Sequence, residues 1–574
     1  MAFRIKEYLR KNRYFIVTSL ILTLVIMFPY ITRRFTPVEH DTFFHLSRIE
    51  QLSKSIRNGQ FLPAHYPEEN FGFGYASPLF YSDFFLIPPA LLHLCGLPLG
   101  LCYRLTVIIA AYISCRTMMN LVMRISGKKE AALISGAAYL FSNYHIADIY
   151  IRGALGEVFA LAVLPAVLDG LYQILIEGRE DGWFTLALSI GSLALCHNLT
   201  FALGSLLTAF LSVVFVKRLN RKTFYALFKG VGFAFLITAF YTLPMIEQLK
   251  SQTLIVDYFA SGSDLSAYSI DLWQYFANKT VFATAGNWKE AGDTMLVNVG
   301  YFLQFVPLLY FFFAKEKNRF VTVCLITGYV MILLPSSFVP WDYLTPLRIL
   351  QFPWRLNTIG IVLLSIPAGI VCADLLRNKV LIYGLVLILS AECVWHVYPA
   401  RSRTFGLADS QSWQDVLDGK LCDPCYSADY VRVELAAGDY LPWPHPDYRE
   451  QSREILDENG NEAGIPYTRT YLYMSFKAEE IPTDDLILPL TWYKGWAVYK
   501  TDGTMKQMPL RRSDNGLVQL IMAEPGSYIV LFEDTPLRRM TMSLSMISFV
   551  FMILTKKDMN RLVNPYRRNR KKTA

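Results

Sequence analysis

Uncharged apolar stretches of about 20 residues, the length a helix needs to cross a bilayer, recur along most of this chain, and no soluble fold accommodates that many. After Arg4, Lys6, Arg10, Lys11 and Arg13, the first runs from Tyr14 to about Ile31. It ends at Pro29, Tyr30, Arg33 and Arg34 without a small-residue cleavage site, so an uncleaved span is expected instead of a signal peptide. Further stretches lie near 102–123, 131–147, 158–176, 183–199, 201–216, 231–248, 296–314, 320–338, 357–375, 380–396 and 540–555. With the first, they predict about twelve transmembrane helices.

Hydrophobic residues make up 53% of the 574 residues and charged residues only 18%, below the roughly 25% of soluble proteins. The charges are segregated. Between Val397 and Leu537 there are 22 acidic against 13 basic side chains, a net charge of −9, while the remainder has 42 basic against 25 acidic, or +17. The positive charge flanks apolar segments and forms no single basic face, which excludes a nucleic-acid partner.

Lys and Arg mark the cytoplasmic side of a span. They collect at Arg124/Lys128/Lys129, Lys217/Arg218/Arg221/Lys222/Lys229, Lys315/Lys317/Arg319, Arg377/Lys379 and 556–572. Twelve spans with both termini cytoplasmic satisfy every cluster. A thirteenth apolar stretch, 78–98, would break that parity if it crossed. It contains Asp83, Pro88-Pro89 and Gly96, so an interfacial or re-entrant element is expected, tolerated where protein or water covers its freed backbone groups.

This orientation places 33–101, 148–157, 249–295 with 335–356, and 397–537 outside the cytoplasm. The segments LILPLTWYKGWAVYKTDG and GLVQLIMAEPGSYIVLFE alternate apolar and polar residues around a turn at Asp502-Gly503, which predicts a β-rich domain. The expected organisation is a transmembrane domain over 1–396, an extracytoplasmic β-sandwich-like domain over 397–537, and a final span with a basic cytoplasmic tail over 538–574. Cys422 and Cys425 flank an Asp-Pro turn suited to a local disulfide, and the other seven cysteines read as small apolar residues.

Chemistry-bearing residues collect in the external pieces. In EHDTFFHLSRIEQL, Asp41, His45 and Arg48 fall at i, i+4 and i+7, one helix face, preceded by Glu39 and His40. In NYHIADIYIRGALGE, Asp148, Arg152 and Glu157 stand where one span ends and the next begins. Ionisable groups at a hydrocarbon edge are costly, so they are paired or functional; an Arg152 pair that only locks two helices is the structural alternative. In TPLRILQFPWRLNT, Arg348 and Arg355 flank Phe352 and Trp354 on the outer side. Guanidinium forks suit phosphate. His197-Asn198 reads as a satisfied helix-packing pair. No Walker loop, no Gly-x-Gly-x-x-Gly entering a helix and no His-x-His pair is present, against nucleotide-driven transport and nicotinamide chemistry.

The acidic first loop followed by SPLFYSDFFLIPP resembles the start of the GT-C glycosyltransferases, polytopic enzymes that take sugars from polyprenyl-phosphate carriers. More closely, HDTFFHLSRI, IRGALGE, CHNLT, QFPWR, AGDYLP and YKGWAVYKTDG are similar to bacterial membrane proteins of the YfhO type and those labelled 6-pyruvoyl-tetrahydropterin synthase-related. The pterin label implies no activity here, because the soluble synthases hold zinc through three histidines that include a His-x-His pair. The resemblance implies a GT-C-like polytopic fold and a glycosyltransferase using a polyprenyl-phosphate sugar donor and a glycan or lipid acceptor. It makes Asp41 the general base, with Glu39 competing, and Asp148 or Glu157 the second acidic site. His45, Arg48, Arg152, Arg348, Trp354 and Arg355 become substrate-binding candidates. A divalent Mg or Mn between Asp41, Asp148 and Glu157 is one way to neutralise a leaving phosphate. A flippase for lipid-linked substrates and a non-catalytic assembly protein are the competing classes.

Overall fold

A computed structural model describes residues 2–32, 36–37, 39–254, 265–278, 295, 297–402, 406–407, 452–503 and 505–570. The expected Cys422–Cys425 pairing and the AGDYLP segment lie outside the described residues. Among those described, six helices are long and apolar enough to cross a membrane: Leu99–Ser126, Leu155–Leu175, Arg221–Leu249, Pro353–Leu375, Lys379–Ala400 and Pro536–Lys556. Shorter apolar helices cover Asn12–Ile26, Phe84–Leu94, Gly182–Cys196, Asn198–Val214, Tyr301–Phe313 and Arg319–Leu333. The molecule is thus a mostly helical membrane protein with a β-sheet part.

Several expected spans are interrupted, for local reasons. The stretch 131–147 is two helices, Lys129–Leu140 and Asn143–Tyr150, because Ser142 takes an extended conformation and caps the second by accepting from the His145 amide. The stretch 296–314 is broken by the short 3-10 turn Val306–Leu309, which carries Pro307. Within 78–98 the only regular α-helix longer than a turn is Ile87–Leu94. Eight residues reach about 12 Å, far short of a bilayer. Its His93 Nε2 lies 2.7 Å from Glu50 Oε2, which ties it to the helix Thr42–Arg57.

The helix Asn357–Leu375 is buried on nearly every face and forms the centre of the bundle. Small residues let its neighbours approach, as membrane helices require where lipid offers no hydrophobic drive. A Cβ on Gly369 would stand 2.5 Å from the Ala131 carbonyl, and one on Gly328 of the neighbouring helix Arg319–Leu333 would stand 2.8 Å from Leu364 Cγ. In contrast, Lys379–Val397 exposes Val380, Leu387 and Trp395, an apolar face suited to lipid.

Strands from Leu456 to Phe532 form two antiparallel sheets. In one, Leu456–Asp457, Leu486–Thr491, Leu517–Leu520 and Leu510–Arg512 lie side by side in that order. In the other the order is Tyr467–Arg469, Tyr473–Ala478, Gly526–Phe532, Trp496–Lys500, Lys506–Met508. Lys500 pairs with Lys506, so the hairpin turns at the expected Asp502-Gly503, where Gly503 has φ 84°. Ile455, Phe476, Leu488, Val498, Val518 and Val530 fill a core shared by the two sheets. This unit docks on the segment after the first helix: Tyr471 Oη donates to the Gln51 carbonyl at 2.9 Å, Arg469 Nη2 to the Pro67 carbonyl at 2.9 Å, and the Thr491 amide to the Phe73 carbonyl at 2.8 Å.

Candidate functional site

The acidic loop is fixed by backbone pairing to a turn more than a hundred residues away. The His40 and Asp41 amides donate to the Ile151 and Arg152 carbonyls at 3.2 and 2.8 Å. Gly153 makes that approach possible, with φ 59° and a missing Cβ that would stand 2.9 Å from both Glu39 Cβ and Thr42 Oγ1. Gly156 does the same beside Tyr81, whose hydroxyl a Cβ would overlap.

Asp41 occupies the N-cap of the helix Thr42–Arg57, yet its side chain makes no capping hydrogen bond. Caps at this position ordinarily accept from the first free amides, so this carboxylate is left available. It is solvent-exposed, and the protein packed around it raises its pKa. Arg152, His40 and Arg355 pull the pKa back down and Glu157 pushes it up, so all four charges reach this carboxylate. Glu39, by contrast, is buried and committed. Its carboxylate accepts from Tyr30 Oη at 3.1 Å and from the Thr42 hydroxyl, and its amide donates to Thr42 Oγ1 at 3.0 Å.

Arg152 stands between the two other acids. Its Nη1 donates to Glu157 Oε2 at 2.6 Å and also to Asp148 Oδ1. Tyr144 Oη donates to Glu157 Oε1 at 2.8 Å, and the Thr358 hydroxyl donates to the same oxygen. Asp148 Oδ2 is buried without a partner. The Arg152 guanidinium lies 4.7 Å from the centre of the Trp354 ring, which stacks on Phe352 at 4.9 Å and 7°. Arg355 lies 4.9 Å from the other ring, Phe352, and its Nε is buried without a partner. Glu157 and Arg355 sit in the first turns of two membrane-crossing helices, so this cluster is at the edge of the apolar bundle.

The remaining predicted residues go elsewhere. His45 and Arg48 share a buried face with each other, Nδ1 to Nη1 3.4 Å. Arg48 is spent on Asp83, with Nε to Oδ1 at 2.8 Å, and on the Tyr81 and Ser82 carbonyls at 3.0 and 2.8 Å. Its guanidinium also covers the Tyr81 ring at 4.3 Å. Burial raises the Asp83 pKa against the pull of Arg48, and burial with the Arg48 charge lowers that of His45. Arg48 therefore positions the loop 81–83. Arg348 is half-buried on the 3-10 turn Thr345–Leu350 that leads to Gln351.

A divalent metal does not fit the positions considered for it. Arg152 already occupies the cation position between Asp148 and Glu157, and no group of three or more His, Cys, Asp or Glu among the described residues could hold an ion. A cavity of about 230 Å³ lies between loop 60–67 and the strands around Arg469–Met474, and contains none of the predicted residues.

Tyr144, Thr358 and Gln351 were not singled out by sequence. Tyr144 precedes Asp148 by four residues, one helix face, a signal that was available. Thr358 reaches Glu157 across 201 positions and leaves no local trace. His197 accepts from the Thr200 hydroxyl or donates to it at 2.8 Å, as a packing residue would, yet it is also close enough to feel Glu157, Arg355 and Arg152.

The family model described as the 6-pyruvoyl-tetrahydropterin synthase related domain, a membrane protein, matches residues 80–399, which include Arg152, Glu157 and Arg355 but not Asp41. An uncharacterized protein of Lactococcus lactis subsp. cremoris is 22% identical over 350 residues, 59% of this chain and 56% of that one. Among solved structures, arabinofuranosyltransferase AftD from Mycobacteria is similar at a TM-score of 0.47 and 15% identity, over 92% of this chain and 40% of its own. A mutant of AftD gives 0.47 and 13% over 91% and 42%. The chain spans about half the length of the curated relative and less than half of the solved chains.

Proposed function

The chain belongs to the 6-pyruvoyl-tetrahydropterin synthase related domain family of membrane proteins, and from its acid–arginine cluster we propose a membrane glycosyltransferase that moves a sugar from a polyprenyl-phosphate-linked donor to an extracytoplasmic cell-wall polymer, lipid or glycan. The observation that carries this is Asp41: an exposed, uncapped carboxylate near enough to Arg152 and Arg355 to be acted on by both charges.

Inverting transfer needs a base to take the acceptor hydroxyl's proton as that oxygen attacks the anomeric carbon. It also needs fixed positive charge where the bond to the carrier breaks and its electron pair passes to phosphate. Asp41 supplies the first. Arg355, with an unpartnered donor, supplies the second; Arg152, shared by two carboxylates, holds the frame. The edge of the apolar helices is where the phosphate of a lipid carrier resides. A flippase would need a polar route through the bundle, whereas the central helix carries Ile361, Leu363, Leu364 and Ile366 below the site, all buried.

The test is transfer by the purified full chain in lipid nanodiscs from labelled undecaprenyl-phosphate glucose, galactose, N-acetylglucosamine and arabinose. Wild type should transfer from at least one, and Asp41→Asn should not. Equal turnover by both overturns the base assignment, and transfer from none overturns the reading.

A further inference from the structure

The turn before Arg355 has a backbone that a side-chain residue seldom adopts. Gln351 has φ 60° and ψ −41°, and the Phe352 amide donates back to the Leu350 carbonyl at 2.6 Å. That closes a three-residue γ-turn with positive φ at its centre, the rarer and strained form. Positive φ in a residue other than Gly, Asn or Asp persists only where surrounding contacts enforce it, and such positions gather at functional sites.

Two hydrogen bonds accepted by this turn come from one guanidinium. Gln351 Oε1 accepts from Arg355 Nη1 at 2.5 Å, and the Leu350 carbonyl accepts from the same nitrogen at 3.1 Å. Two adjacent residues therefore grip one end of Arg355. The Phe352 ring supports its face at 4.9 Å, and Nε is left without a partner. The identity of the gripping group matters. A glutamate here would form an ion pair and neutralise the arginine, whereas the glutamine amide fixes the guanidinium and leaves its charge available.

We propose that Gln351 is a positioning residue: its strained turn holds Arg355 by Nη1 so that the rest of the guanidinium, fully charged, receives the phosphate of a lipid carrier. This rests on the reading of Arg355 as the phosphate group's partner. It assigns Gln351 no contact with substrate.

The test measures binding of undecaprenyl phosphate, the part common to such donors whatever the sugar, to the full chain in nanodiscs by native mass spectrometry, with melting temperature recorded in parallel. Gln351→Gly accepts positive φ freely but removes the amide. Gln351→Glu keeps the reach and cancels the charge. Both should weaken binding about tenfold or more, the scale of one charge-assisted hydrogen bond, while Gln351→Gly melts no lower than wild type. Wild-type affinity in both variants overturns the proposal and leaves the site reading standing. Loss of binding in step with loss of stability in both variants also overturns it, because the turn is then only structural. Absence of wild-type binding, or wild-type affinity in Arg355→Gln, overturns the site reading and the proposal together.

Discussion

Glu69 should make the docking of the β-sheet unit sensitive to pH. It sits at the tip of a hairpin closed by the Tyr66 and Tyr75 amides, which donate to each other's carbonyls at 2.8 and 2.9 Å. Its carboxylate accepts from the Ser47 hydroxyl. Burial raises its pKa from an ordinary 4.5 to about 7, with Glu68 and Asp83 adding to the rise and Ser47 and Lys54 opposing it. A carboxyl whose pKa is raised on folding stabilises the folded segment below its unfolded pKa, and that stability is lost as pH climbs through the folded value. With pKa values of 7 folded and 4.5 open, the contribution is about 2.5 kcal/mol at pH 5 and close to zero at pH 8. The assay is hydrogen exchange of segment 66–75 in the purified full chain, corrected for the intrinsic pH dependence of exchange. Wild-type protection should fall by about 70-fold between pH 5 and pH 8, the same difference expressed as an opening constant. Glu69→Gln should show no such fall. Parallel profiles for the two proteins would refute the reasoning, because the segment would then open without releasing a perturbed carboxyl.

Asp41→Asn should lower sugar transfer by about 10²- to 10⁴-fold with an unchanged melting temperature. In wild type the acid limb of the rate profile should lie above the ordinary aspartate range, because burial raises this pKa and only the ionised form is a base. Arg48→Met strands the buried Asp83 carboxylate and should cost roughly 3–5 kcal/mol, read as a lower melting temperature; adding Asp83→Leu should recover most of it. Gly153→Ala should cost roughly 1–3 kcal/mol and depress transfer, since the new Cβ meets Glu39 and Thr42 at 2.9 Å; full transfer by this variant would show that the loop tolerates displacement.

Much of the architecture was written in local pattern. Apolar length marks the helices, and period-two alternation with Asp-Gly marks the hairpin Trp496–Lys500 to Lys506–Met508. The interruptions at Ser142 and Pro307 were legible in principle, since one caps a helix and the other removes an amide, but apolar length alone runs through them. For the candidate site, the sequence brought up Asp41, Asp148, Arg152, Glu157 and Arg355 because charge beside hydrocarbon stands out. It also brought up Arg48, whose partner Asp83 lies 35 positions away and turns it inward. Spacing cannot tell a cation already paired from one left available. That distinction is made by tertiary contacts such as Thr358 to Glu157, across a separation that no periodicity spans.

The distinction decides which way a substrate would lie. Two carboxylates share Arg152, so its charge is already matched and that corner offers a phosphate no free cation. Arg355 is gripped by a neutral amide and a carbonyl, so its corner stays positive. A lipid-linked sugar phosphate would therefore place its phosphate against Arg355 and Phe352, where the helix Pro353–Leu375 enters the apolar bundle. Its sugar would then face Asp41, the exposed carboxylate of the cluster, and the acceptor hydroxyl would approach from that open side. On the proposed reading, the pairing of Arg152 would do by electrostatics what a larger binding surface would do by shape: it would leave one orientation in which opposite charges meet.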